Sequence, residues 1–392
     1  MPLARRVAFL THYTELYGAN LSLLNLIEGL APHGVAAHVI APEGGDLLGA
    51  LAERGVPTAV LPFEWCVSTN RTPQTVAARV TRNVRHLRPL ARQIAKWNAD
   101  LVYSNSSVFN IGALAAVELN LPHVWHLREF GFRDYDLKPD FGPTMARLAF
   151  RTADAVVCVS HALSRALLGP NPPAQSRVIY NGVASAATFD ARREAAAALA
   201  GRVQPFTFVL VGRFRESKGQ EVAIRAFARV AERHPNVRLL LVGGAGATGQ
   251  SEYFDRCVAV AREIGAASKV EFWGYVPDPE RAFLAADCAL MCSRNEAMGR
   301  VTAEAMSTVR PVIGFDSGGT SELIAHDRTG QLYRGGADAL AECMARYVVA
   351  PELANAHGVA AWHAARERHT TEVYAEQIRG VLAGVDTSRR GQ

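Results

Sequence analysis

Two carboxylates and two cations stand at spacings that suit work on a charged, hydroxyl-rich ligand. Glu296 and Glu304 are separated by seven residues in SRNEAMGRVTAEAMSTVRPVIGFDSGGTSELI, residues 293–324. Glu296 directly follows a strand-like run, and Glu304 falls about one turn into a helix that opens near Gly299. A carboxylate so placed accepts hydrogen bonds from paired hydroxyls, as on a ribose or hexose ring. The free N–H groups and positive dipole end of a helix opening at Gly299 suit a diphosphate or a sugar oxygen. Ser317, Gly318, Gly319 and Thr320 form a second small-residue loop with the same capacity. In FVLVGRFRESKGQEVAIRAF, residues 208–227, a strand ends at Gly212 and the loop beyond it presents Arg213 and Lys218. Two fixed cations can stabilise the charge of a departing diphosphate without a metal. The plainer alternative is a pair of solvated surface cations.

The elements that must position these groups are legible as alternating β-rich and helical runs. In the first half, strands are predicted at 7–11, 37–41, 59–63, 101–104, 123–127, 155–160 and 178–180, with helices such as 19–30 and 109–118 between them. Runs like DAVVCVS are apolar on both faces, as parallel strands covered by helices on both sides are. The Ala-rich stretch 184–205 reads as a helical link. The pattern then restarts with strands at 206–212, 237–242, 270–273, 288–292 and 311–315. The predicted fold is therefore α/β, with two Rossmann-like doubly wound parallel-sheet domains at 1–185 and 203–365. A last helix, 371–385, is expected to pack back onto the first domain. Ligands of such sheets bind at the carboxyl ends of the strands, so a cleft between the domains is the expected site.

The 392 residues are 49% hydrophobic and 20% charged, which excludes a disordered chain. Six scattered cysteines, none in a C-x-x-C pair, predict buried free thiols and a reducing compartment. The apolar run Val7–Leu10 is too short for a signal peptide, and no stretch approaches the roughly 20 apolar residues of a membrane span. The expectation is a cytoplasmic protein. The net charge of +5 is unevenly placed, with seven basic and no acidic residues between Trp65 and Ala99. Within 75–97, Arg82, Arg85, Arg88, Arg92 and Lys96 recur at three- and four-residue steps opposite a stripe of Val76, Val80, Val84, Leu87 and Ile94, with Pro89 as a kink. This is a core-packed helix with a solvated basic face, or one that also meets an anionic membrane surface on the inner face of the bilayer. No aromatic residues interleave with the basic ones, which argues against nucleic acid.

The second half resembles the retaining glycosyltransferases of family 4, which have the GT-B fold. The matching pieces are VIYNGV (178–183), VGRFRESKG (211–219), LLLVGGAG (239–246), VEFWGYVPD (270–278) and the E-x7-E segment with PVIGFDSGGTSELI. The resemblance implies that Arg213 and Lys218 grip the donor diphosphate beside Gly212. It further implies that Glu296 meets the transferred sugar, that Glu304 meets the nucleotide ribose, and that Gly299, Arg300 and Val301 offer backbone donors. In the first half, TELYGANLSLLNL (14–26) is similar to the family's glycine-rich loop, with Gly18 followed by Ala19 where many members have a second glycine. Asn20 follows as an acceptor-side candidate. HVWHLRE (123–129) is similar to the strand whose terminal histidine faces the reacting sugar, which points to His126 as catalytic and to Arg128 and Glu129 on the acceptor side. Ala297 and Met298 stand where Gly and Phe are common. The implied activity is metal-independent, retaining transfer of a sugar from a UDP- or GDP-sugar to a sugar or lipid-linked acceptor, with no cofactor. A 2-epimerase-like enzyme of the same architecture and a non-catalytic sugar-nucleotide binder are the alternatives. R-x4-K with E-x7-E favours transfer.

Two further signals compete. Gly244-x-Gly246-x-x-Gly249 follows a strand, as a dinucleotide fingerprint does, but its acid, Glu271, would open the next strand rather than close it. A loop lining the donor site is the better reading. Asp134-Tyr135-Asp136 looks like the D-x-D of metal-dependent transferases, yet lies in a polar loop far along the chain from the donor motifs. It reads as a solvated acidic loop or a lid.

Overall fold

The computed structural model describes residues 5–132, 136–199, 201, 205–244 and 252–386. The chain divides into two compact units, one formed by 1–182 with 371–392 and the other by 183–370.

The first unit holds a parallel sheet of seven strands: β1 Arg5–Leu10, β2 Val35–Ala41, β3 Thr58–Val60, β4 Leu101–Ser104, β5 His123–Leu127, β6 Ala155–Cys158 and β7 Ser176–Val178. Their spatial order is β3-β2-β1-β4-β5-β6-β7, so the order reverses between β1 and β4. Strands β4, β5 and β6 are buried on both faces, in line with the unalternating apolar runs of the sequence. One face packs with Leu23, Leu26 and Ile27 of the helix Gly18–Leu30 and with Tyr374, Ala375, Ile378 and Leu382 of the final helix, Thr371–Gly384. A Cβ on Gly29 would come within 2.6 Å of Ala375 Cβ, so the two helices meet where one side chain is missing.

The helix Pro73–Lys96 starts with a capping box between Thr72 and Thr75 and continues through Pro89. Its inner face differs from the stripe the sequence suggests. Val80 and Val84 are exposed, while Asn83, Leu90, Ala91 and Ile94 are buried. Polar partners take the inner positions of the first turns: Arg79 pairs with Asp140, and Asn83 Nδ2 donates to Glu64 O at 3.1 Å. Among the described residues no helix is long and apolar enough to cross a membrane.

The second unit holds six parallel strands: β8 Phe206–Val211, β9 Val237–Val242, β10 Val270–Gly274, β11 Cys288–Met291, β12 Val312–Phe315 and β13 Gly330–Tyr333. They are ordered β10-β9-β8-β11-β12-β13, again reversing at the first strand of the unit. Strand β13, which the sequence reading lacks, pairs with β12 from Val312↔Gly330 onward. The stretch read as a link is instead the helix Ala186–Ala198, an integral part of this unit. Its Phe189 is fully buried, and the Trp362 indole donates to Phe189 O at 3.0 Å. Arg192 on the same helix pairs with Glu280 at 2.8 Å. A buried aromatic and ion pairs from Asp190 and Arg192 fasten a run whose alanines carry little signal. All six cysteines are free thiols.

Candidate active site

In the second unit the strand order reverses between β8 and β11, and the predicted charged groups follow the carboxyl ends of these two strands. In open α/β sheets ligands bind at such switch points. Beyond β8 the backbone runs through Gly212 and Arg213 into a single 3-10 turn, Glu216–Lys218. Gly219 then takes the left-handed conformation (φ 74°) and leads into the helix Gln220–Arg233. A Cβ on Gly219 would lie 2.8 Å from both Cβ and O of Cys292, so only glycine lets this turn lie against the end of β11. Gln220 is fully buried, and its amide donates to Arg213 O at 2.9 Å and Gly212 O at 3.3 Å. The loop carrying both cations is thus pinned from below by a residue absent from the sequence reading.

Lys218 and Glu296 form an ion pair. The structure therefore joins the second cation of the R-x4-K spacing to the first acid of the E-x7-E spacing, across 78 residues of sequence. Arg213 is half-buried in the same loop. Glu296 and Ala297 are half-buried and Met298 is buried. Gly299, left-handed at φ 85°, begins the helix Arg300–Ser307 without a side-chain cap. Gly318 and Gly319 are occupied by packing. A Cβ on Gly318 would sit 2.5 Å from Glu296 O, one on Gly319 would sit 2.5 Å from Ala297 O, and Gly319 N donates to Glu296 O at 2.8 Å. This loop shapes the Glu296–Met298 segment from behind.

Glu304 accepts from Arg300 Nε at 2.7 Å, one helical turn away, and both side chains are about one-seventh exposed (14% and 13%). The Arg300 guanidinium also donates to Val183 O at 3.2 Å. Glu304 Oε2 accepts nothing from the described residues. Val301 is half-buried behind them. Gly244 closes the neighbouring turn, with Phe214 N donating to Gly244 O at 3.1 Å. Gly246 and Gly249 of the glycine triplet lie outside the described residues, as do Asp134 and Tyr135. Asp136 pairs with Lys138 at 3.7 Å.

In the first unit, Gly18 opens the helix Gly18–Leu30 and is exposed, with nothing within 4 Å of a Cβ added there. Ala19 is half-buried. Asn20 is fully buried and its amide is fully engaged: Oδ1 accepts from Thr11 Oγ1 at 2.6 Å, and Nδ2 donates to Tyr13 O and Glu15 O, each at 2.9 Å. Asn20 therefore shapes the loop after β1 and leaves no side-chain donor over. His126 lies on β5 with no exposure. Its Nδ1 meets the Tyr103 hydroxyl at 2.6 Å, and its Nε2 is enclosed without a partner. Burial, reinforced by the Arg128 charge, holds its pKa well below 6.5, so the ring is neutral.

Arg128 is buried and, among the described residues, donates to neutral groups: Asn105 Oδ1 at 2.6 Å, Asn181 Oδ1 at 2.7 Å and Tyr374 OH at 2.9 Å. It fastens the final helix to the sheet. Glu129 Oε1 accepts from Ser106 Oγ, from Ser107 N at 2.7 Å and from Ser107 Oγ at 2.9 Å. The sequence reading passed over His12, Trp65 and Asn105. His12 follows β1 and Asn105 follows β4, and the run YSNSS (103–107) after β4 is the signal that marks that end of the sheet.

Comparison with known proteins agrees with this arrangement. Residues 17–186 match the family described as Glycosyltransferase Family 4, and residues 192–361 match Glycosyl transferases group 1. The chain belongs to the group 1, family 4 glycosyltransferases. Among its curated relatives, the D-inositol 3-phosphate glycosyltransferase of Corynebacterium aurimucosum is 34% identical over 41% of this chain and 38% of its own length. The lipopolysaccharide core biosynthesis mannosyltransferase LpcC of Rhizobium leguminosarum is 29% identical over 43% of this chain and 48% of that protein. These matches span less than half of the relatives' own length. Two solved structures share the GT-B fold of this family member. Anabaena HepE in complex with UDP has a TM-score of 0.80 at 22% identity and covers 96% of this chain and 99% of HepE. Sucrose-phosphate synthase from Thermosynechococcus elongatus has a TM-score of 0.73 at 20% identity, covering 96% and 98%.

Proposed function

We propose that this chain is a metal-independent, retaining glycosyltransferase that moves a sugar from a UDP- or GDP-sugar to a hydroxyl acceptor in polysaccharide or glycolipid biosynthesis. The observation that carries the proposal is the Lys218–Glu296 ion pair at the switch point of the second unit, in the loop that also bears Arg213. A leaving diphosphate develops negative charge, and the two cations stabilise it where it forms. Lys218 then shares its N–H donors between Glu296 and a phosphate oxygen. Glu296 accepts from hydroxyls of the transferred sugar, and Glu304, held by Arg300, accepts from the ribose. Charge is carried by the leaving group rather than by a carboxylate nucleophile, so the acceptor enters on the face the diphosphate leaves and the anomeric configuration is retained. The proposal includes His126 as a neutral group acting on the sugar, a role supported by the family resemblance. The UDP complex of HepE and the transferases among the relatives support a nucleotide-sugar donor.

A thermal-shift screen of UDP-, GDP-, ADP- and TDP-sugars, with and without EDTA, tests the donor half of the proposal. One base should raise Tm by mass action, unaffected by the chelator. A shift that appears only with a divalent cation would remove metal independence. NMR of the product tests retention, and an inverted anomer would overturn it.

We also propose that the helix Pro73–Lys96 lies against an anionic membrane surface. Arg85, Arg88, Arg92 and Lys96 are exposed on it beside exposed Val80 and Val84. Failure to sediment with anionic vesicles at low salt would refute this.

A further inference from the structure

The first unit has its own switch point, between β1 and β4, and the groups around it form a site that the donor chemistry does not use. Resting on the transferase reading above, we propose that this site holds the acceptor, and that the acceptor is an uncharged pyranose ring stacked on Trp65 and hydrogen-bonded to Glu129.

Trp65 lies in the segment after β3 and is 36% exposed despite its size. Its indole N–H donates to His12 O at 3.0 Å. The polar edge of the ring is therefore occupied, and the exposed part of the indole is apolar. The His12 ring meets it in a tilted-edge arrangement at 5.4 Å and packs more closely against Tyr13, at 4.4 Å. Cys66 N donates to Val108 O at 2.7 Å, which joins this segment to the loop following β4. That same loop supplies Ser106 and Ser107, the donors to Glu129 Oε1. Three donors on one oxygen fix the carboxylate and leave Oε2, which accepts nothing from the described residues and is not enclosed. The Glu129 charge acts on His12, whose ring flanks Trp65, so a part-exposed aromatic ring and an open carboxylate oxygen share one cluster and match the two surfaces of a pyranose: the apolar C–H face and the hydroxyl rim.

The charge balance selects a neutral ring over a phosphorylated one. Arg128, next to Glu129 in the chain, is buried with all three of its nitrogens bonded to neutral partners, and the Glu129 carboxylate opposes an incoming anion. His12 is neutral at working pH, pushed down to about 4 chiefly by burial. It adds no positive charge. Its enclosed Nδ1 and the enclosed Asn105 Nδ2, both unpartnered, are polar atoms within the same cluster.

The test is saturation-transfer NMR on the full chain with methyl α-glucoside, α-galactoside and α-mannoside, with glycerol and inorganic phosphate as comparison probes. At least one glycoside should show transfer several-fold above glycerol, strongest on the C–H protons of one ring face. Trp65→Ala should reduce that signal at least fivefold. Glu129→Gln keeps the volume and the Oε1 bonds, and guards against a misfolded Trp65 variant. It should weaken glycoside binding three- to tenfold and raise the acceptor KM while leaving the sugar-nucleotide thermal shift unchanged. Glycosides no better than glycerol, binding of phosphate in their place, or glycoside signals unchanged in both variants would overturn the proposal. The donor shift is read on the same samples. Its absence would count against the transferase reading, whereas its presence without glycoside binding would sink the acceptor proposal alone.

Discussion

Gly319→Ala separates packing behind the donor site from the donor site itself. Gly319 has φ −71°, so alanine fits its backbone without strain, and the consequence is purely steric. The new Cβ would lie 2.5 Å from Ala297 O and 2.5 Å from Met298 Cα. Relief requires the Glu296–Met298 segment and the Gly318–Gly319 turn to separate by roughly 0.7 Å or more. Met298 is only 3% exposed, so there is no free space behind it to absorb the movement. Overpacking of this kind costs about 1–3 kcal/mol, which lowers Tm by on the order of 5 °C in a domain of this size. The shift falls on the stretch that aims Glu296, and a misplacement approaching 1 Å at a reacting centre can lower the rate about 10²-fold. Tm, donor thermal shift and kcat/KM should therefore fall together. Gly49→Ala, in the helix Asp46–Glu53, meets nothing within 4 Å and should instead raise stability by up to about 1 kcal/mol with activity unchanged. A Gly319→Ala protein with wild-type Tm and donor shift would refute the claim that this glycine is required by close approach.

Lys218→Met should lower kcat by roughly 10²–10³-fold with little loss of stability, because the pair it breaks is partly exposed. Equal losses in Tm and activity would make Lys218 structural instead. Arg300→Met leaves Glu304 without its cation and should raise donor KM about tenfold while narrowing the preference for a ribose donor over its 2′-deoxy analogue; an unchanged preference ratio would detach Arg300 from the ribose. His12 and His123 are pushed down to about 4 and about 3 by burial, and His126 well below 6.5. The unfolded chain takes protons on these residues near 6.5 while the folded unit resists them. Stability of the first unit should thus fall as pH drops from about 6.5 towards 4, by up to about 1.4 kcal/mol per pH unit for each histidine. Urea unfolding followed through tryptophan fluorescence checks this, and a flat profile over that interval would contradict the buried neutral state.

The sequence by itself determined what depends on local pattern. Doubly apolar runs such as DAVVC read as central parallel strands, and of the thirteen strands in the two large sheets all but β13 were legible within a few residues, whereas the short pair Val67–Ser68 and Lys138–Pro139 was not. The final helix was also legible, because Tyr374, Ala375, Ile378 and Leu382 recur at helical spacing. The family motifs marked Arg213, Lys218, Glu296 and Glu304 because each lies in a short contiguous run directly after a recognisable strand or in the helix that follows it. What needed the tertiary structure was every pairing between distant segments. Sequence spacing cannot show that Lys218 meets Glu296, that Arg128 reaches Asn181 and Tyr374, or that Gly219 must clear Cys292. The rotation of the helix Pro73–Lys96 is of the same kind: its apolar stripe alone pointed Val80 and Val84 inward, but Arg79 and Asn83 had partners in Asp140 and Glu64 that only the fold brings near. The cluster proposed for the acceptor was legible only at Glu129, for the same reason. Trp65, His12, Asn105 and Glu129 come from four separate segments and come near one another only because the parallel sheet gathers the carboxyl ends of its strands.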